Sequence, residues 1–105
     1  WPDPPVLDVG IAYGADVDHA MEVMLDELRK LAADPDWKDR ITDEPEMLGV
    51  QELAESAVIV RARLTTRADE RWSVRREALL RIKKRLDAEG IEIPFPHLTI
   101  FQPNS

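Results

Sequence analysis

Apolar side chains alternate along the start of the chain at Leu7, Val9, Ile11 and Tyr13, the period-two spacing of a strand with one buried face. Gly14 ends that pattern, and Asp16 is placed to cap a helix, with Asp18 near the positive end of its dipole. From Val17 to Ala33 the period changes. Val17, Met21, Met24, Leu25, Leu28, Leu31 and Ala32 recur every third or fourth residue, one stripe of an amphipathic helix. The Asp34-Pro35 pair stops it, because the proline ring disfavours helical geometry at the preceding residue.

Residues 34–46 read as an acidic loop, with Trp37 and Ile41 expected to pin it. A short strand is expected at Met47–Leu53, weakened by Gly49, and Ala54-Glu55-Ser56 turns the chain. Ala57–Thr66 carries the clearest strand pattern: Val58, Val60, Ala62 and Leu64 share one face, while Arg61, Arg63 and Thr65 share the other. Asp69-Glu70 open a second helix to about Glu89. Its apolar stripe is expected at Trp72, Leu79, Ile82 and Leu86, and Gly90 closes it. Trp72, Leu79 and Ile82 are expected to form the core with Val58, Val60 and Leu64.

Ile91–Ile93 is then available as a fourth strand. Beyond it, Pro94 and Pro96 remove two backbone donors, so Gly90–Gln102 cannot be a helix and is a poor interior strand. Leu98-Thr99-Ile100-Phe101 is β-prone again and apolar on both faces, so it needs cover, some of it from another copy of the protein. The order β-α-β-β-α-β predicts an α+β, ferredoxin-like sandwich with both helices on one face of an antiparallel sheet and a C-terminal extra strand. Residues 1–6, with prolines at 2, 4 and 5, read as a linker end, residues 7–93 as the domain, and residues 94–105 as a proline-rich turn and assembly strand.

At 105 residues with 44% hydrophobic and 33% charged, the chain is one globular domain and too apolar for disorder. No apolar run approaches the roughly 20 residues of a membrane span. The chain has no cysteine, which excludes disulfides, cysteine nucleophiles and thiolate metal sites. A net charge of −7 argues against nucleic acid as a partner. That charge is uneven: residues 1–57 hold 15 acids and 4 bases, residues 58–105 hold 6 acids and 10 bases. Two solvated faces of one domain account for this, with partner contacts or self-complementary assembly as the sharper reading.

The candidate chemistry is thin. His19 and His97, the only histidines, have no ligand partner at a recognised spacing, so neither is assigned a metal. The acids at Asp34, Asp36, Asp39, Asp43 and Glu44 lack the glycine and terminal glutamate of a calcium loop. The arginine-rich second helix lacks interleaved exposed aromatics, so its charges are expected to pair within or between subunits rather than with RNA. No nucleophile elbow or triad signature is present, so no enzyme activity and no cofactor is expected.

Four stretches together resemble the C-terminal cytoplasmic domain of the small-conductance mechanosensitive channel (MscS-like) family. They are Val9-x-Ile11-x-Tyr13-Gly14-x-Asp16; Glu44-Pro45 with Ser56-Ala57-Val58; Trp72-x-x-x-Arg76-Glu77 with Arg81-Ile82-Lys83; and Leu86-Asp87-x-x-Gly90-Ile91-x-Ile93-Pro94-Phe95-Pro96. The resemblance covers nearly the whole chain. It implies a homoheptameric, tension-gated channel of the cell membrane that releases solutes on hypo-osmotic shock. This domain would be the lower part of its cytoplasmic cage, and the membrane segments would lie outside this sequence. It also implies that the residues after Pro-Phe-Pro form one strand per subunit of a small barrel, so Pro94, Phe95, Pro96, Leu98, Ile100 and Phe101 are the expected oligomerisation residues. Two features depart from the pattern: His97 stands where the family usually has Gln, and the 34–43 loop is long and acidic. The alternative is a stand-alone ferredoxin-like regulatory module that binds a small ligand, with Arg61 and Arg63 at a ligand or dimer surface.

Overall fold

A computed structural model describes residues 5–94 of the chain. Its elements are β1 (Val6–Ile11), α1 (Val17–Ala33), β2 (Glu46–Leu53), β3 (Val58–Arg63) and α2 (Arg71–Ala88), with single 3₁₀ turns at Lys38–Arg40 and Ala68–Glu70. The sheet order is β1-β3-β2 and both pairings are antiparallel. The result is an α+β domain with two helices packed on one sheet.

The alternation in β1 and β3 does what its period requires. Leu7, Val9 and Ile11 are buried together with Val58, Val60, Ala62 and Leu64, because side chains two apart share a face. On the opposite face Arg61 meets Asp8 and Arg63 meets Glu46, each at 2.8 Å. β1 stops at Ile11, short of Tyr13, which is exposed and donates its hydroxyl to the Ala54 carbonyl oxygen.

The α1 helix starts where the Asp16 carboxylate accepts the His19 N–H at 3.1 Å, satisfying one of the donors a helix start leaves open. It buries Ala20, Val23, Met24, Leu28 and Leu31. Each of the Val, Leu and Met side chains taken fully out of water is worth roughly 1.5–3 kcal/mol. The helix ends at Asp34, extended as a residue before proline should be. In the following loop Trp37 and Ile41 pack against the core, and Ile41 bridges to Thr66.

The second helix corrects the expected stripe. Its buried residues are Val74, Ala78, Ile82 and Leu86, a single row four residues apart. Trp72 lies roughly 160° round the helix from Val74 at 100° per residue. It is 54% exposed, with the Arg71 guanidinium 4.9 Å from its ring centre. Leu79 is only partly buried. A row of small and branched residues lets α2 sit close to its neighbours. A tryptophan in that row would hold it off.

The second departure concerns the end of the domain. Gly90 adopts φ +73°, and the Ile91 N–H reaches back to the Leu86 carbonyl at 2.9 Å while Gly90 N–H reaches Asp87 at 3.1 Å, the glycine-terminated helix end. Ile91 is then buried. Residues 91–94 form no strand, although Ala12 N–H donates to the Glu92 carbonyl at 3.0 Å along the free edge of β1. Continued antiparallel, that register sets Pro94 opposite Gly10, and proline has no N–H to return. The ladder stops after one bond.

Candidate assembly surfaces

Two places on the domain offer surface to a partner. The first is the groove beside the chain's exit. The free edge of β1 and the flank of α2 enclose about 580 Å³ lined by Val9, Leu79, Ile82, Ile93 and Pro94, with Asp8, Lys83, Asp87 and Glu92 at its rim. The even-numbered residues of β1 turn their backbone groups to this edge. Arg75 occupies the Val6 carbonyl at 3.0 Å and Glu92 takes Ala12 N–H. Of the expected oligomerisation residues, Pro94 sits at this groove; Phe95, Pro96, Leu98, Ile100 and Phe101 lie outside the described residues, as does His97.

The second is β2. The strand carries two register shifts, between Met47 and Gly49 and between Val50 and Glu52. Gly49 absorbs the first with φ +114°, a conformation that favours glycine. Leu48, Val50 and Leu53 are exposed along this edge strand. Periodicity missed this surface, because Val50 and Leu53 read as ordinary strand residues and nothing in their spacing reports which strand lies at the edge.

The charge asymmetry of the sequence is resolved largely inside the domain. Arg85 on α2 meets Asp26 at 2.8 Å and Glu27 at 3.0 Å on α1, and Glu89 at 2.9 Å on its own side. Arg81 joins Asp34 and Glu77, each at 2.8 Å. Hydrogen bonds from Arg85 hold the Asp26 and Glu89 carboxyls below their ordinary values, and one from Arg81 does the same for Asp34. Asp8 is likewise lowered by its hydrogen bond from Arg61. The acidic loop is therefore tied into the structure at Asp34, whose carboxylate also accepts the Asp36 N–H at 2.8 Å, and at Glu44, which meets Arg29 at 3.4 Å. His19 turns its ring to Glu89 at 3.1 Å. No cluster of metal-ligating side chains occurs among the described residues. Arg61 and Arg63, the ligand-facing residues of the regulatory-module alternative, are engaged by Asp8 and Glu46.

The sequence model described as "Mechanosensitive ion channel MscS, C-terminal" matches residues 6–93. The chain belongs to the MscS mechanosensitive ion channel family. Among curated MscS relatives, it is 23% identical over 95 residues to a small-conductance mechanosensitive channel of Caldanaerobacter subterraneus subsp. tengcongensis, an alignment covering 90% of this chain and 33% of the relative. It is 30% identical over 96 residues to an uncharacterized MscS family protein of Archaeoglobus fulgidus, covering 91% of this chain and 32% of that protein. The chain thus spans about one third of the length of these MscS relatives. No helix among its described residues is long and apolar enough to cross a membrane, and the family model that matches is that of the C-terminal domain. The family is one of ion channels rather than enzymes.

Proposed function

We propose that this domain is the cytoplasmic end of a tension-gated channel, forming part of an oligomeric cage below a pore that releases solutes on hypo-osmotic shock. The observation that carries this reading is the family match over residues 6–93, nearly the whole of the described domain. The membrane spans and the pore belong to segments outside this sequence. The assembly is a homo-oligomer, a heptamer by the family pattern, and Pro94, Phe95, Pro96, Leu98, Ile100 and Phe101 make its C-terminal subunit contacts. A cage element needs rigid walls and charged, solvated faces rather than a reactive centre. A domain laced by arginine–carboxylate pairs between its helices supplies such a wall.

The test is a chimera in which this chain replaces the C-terminal third of the Caldanaerobacter relative. It is expressed in cells lacking mechanosensitive channels, which are then diluted from high to low salt. Survival and tension-activated currents matching the parent channel support the reading. A chimera that reaches the membrane and assembles but neither protects cells nor conducts counts against it.

A further inference from the structure

The chain enters the domain beside a small cavity. About 280 Å³ is enclosed where the start of β1 meets the end of β3 and the first turns of α2, lined by Pro5, Leu64, Thr66, Arg71, Trp72 and Arg75 among others. Two arginines thus line a space that is otherwise mostly apolar.

The described acids around it are already engaged. Asp8, also in the lining, is held by Arg61 at 2.8 Å, while Glu70 meets Arg40 at 3.6 Å and Asp69 meets Arg67 at 3.9 Å. Arg75 gives one N–H to the Val6 carbonyl oxygen at 3.0 Å and forms no ion pair among the described residues. A guanidinium carries five N–H donors, so this site can take a further carboxylate.

Strand register says which carboxylate arrives. Val6 pairs with Arg63, and the Leu64 N–H is donated to the Pro5 carbonyl oxygen at 2.8 Å. Carried two residues further, the same register sets Asp3 opposite Thr66. The backbone of Thr66 is turned the right way. Its neighbours bond to the loop on the other side, Thr42 N–H to the Thr65 carbonyl and Arg67 N–H to the Arg40 carbonyl, each at 3.0 Å. Backbone groups of successive strand residues alternate in direction, so Thr66 turns its N–H toward β1. Side chains alternate as well. Leu7, Val9 and Ile11 point into the core, so position 3, of the same parity, falls on the helix side, where Arg71 and Arg75 stand. Pro4 turns its missing donor to the open edge of β1, where no ladder bond is lost.

We propose that Asp3 completes this cavity: its carbonyl oxygen accepts the Thr66 N–H, and its carboxylate meets the Arg71 and Arg75 guanidinium groups. The occupant is the chain's own lead-in for two reasons. Pro5 already lines the cavity, and Asp3, the one acid among residues 1–4, is two residues away, about 6–7 Å of extended chain. β1 then begins at Asp3, and the stretch that reads as a linker end is strapped to the start of α2. The entry to the domain is a fixed joint rather than a swivel. The contact lies within one chain and goes beyond the channel reading, which does not depend on it.

Nuclear magnetic resonance of the full chain tests it. In that register residues 4 and 65 form a non-hydrogen-bonded pair with Cα atoms about 4.5 Å apart. A nuclear Overhauser contact between the Pro4 and Thr65 α-protons is therefore expected, together with slowed solvent exchange of the Thr66 amide. The Asp3 carboxyl should titrate below its ordinary value of about 3.9. That value should rise in Arg71→Gln and in Arg75→Gln, and return to the ordinary one when both are replaced. Absence of the Pro4–Thr65 contact, a freely exchanging Thr66 amide, or an Asp3 carboxyl at its ordinary value in the parent would each overturn the strap. So would a lowered value that the double replacement leaves unmoved. The parent spectra need no substitution, so they decide the matter even if an arginine variant fails to fold. The osmotic-shock chimera judges the channel reading separately.

Discussion

Val50 and Val60 face each other across β2 and β3, yet one is 49% exposed and the other has no exposed surface. The same residue type in the same pairing differs in position: β3 is the central strand and β2 an edge. Truncation should read out that difference. Val60→Ala is expected to lower stability by about 1–2 kcal/mol through lost burial and a cavity, whereas Val50→Ala should stay within roughly 0.5 kcal/mol, as surface substitutions usually do. Urea unfolding of the two variants compares them directly; equal losses would mean that Val50 is covered within one chain.

Trp72 gives a second contrast. It is exposed, so Trp72→Ala should leave the melting temperature almost unchanged, while Ile82→Ala in the buried row should cost about 2–5 kcal/mol. The fluorescence maximum of Trp72, in a variant with Trp1 and Trp37 replaced by Phe, should lie at the wavelength of a solvated indole.

Gly90 turns the chain out of α2 with φ +73° and has open space where a Cβ would stand. Gly90→Ala therefore loses stability through backbone strain alone, about 1–2 kcal/mol. Gly90→Asn should lose less, because asparagine tolerates that conformation better. Thermal melts of the pair decide it, and an alanine variant as stable as the parent would contradict the helix-end geometry.

Acid should unfold the domain earlier than its core alone would suggest. The carboxyls of Asp8, Asp26, Asp34 and Glu89 are all lowered by arginine hydrogen bonds, so the unfolded chain binds more protons than the folded one. Their contribution is complete above the ordinary carboxylate range, about pH 4–5, and is lost as pH falls through the lowered folded values. Arg85→Met removes the shared partner of Asp26 and Glu89, and should flatten this acid dependence. The effect should shrink in high salt, since these groups sit near solvent. Melting temperatures from pH 2 to 7 at two salt concentrations make the measurement.

Strand and helix identities were legible in the sequence because each is a local property. The alternation of Val58, Val60, Ala62 and Leu64, the Asp16 cap, the Asp34-Pro35 stop and the Gly90 turn each depend on neighbours within a few residues. The family resemblance was legible for a related reason: residues at these turns and helix ends recur at fixed spacing. What the sequence could not show was which apolar residues win the helix layer. A periodic stripe admits several phases, and Trp72 lost to Val74 and Ala78 because close packing of α2 favours small side chains in the contact row. Nor could it show that the ladder beyond Glu92 stops at Pro94, since that depends on which β1 residue stands opposite. The exposure of Val50 and Leu53 is the plainest case. Their side chains share the face of Val60 and Val58, and only the tertiary structure decides that β3 is the central strand and β2 an edge, so that the same face is buried on one and exposed on the other.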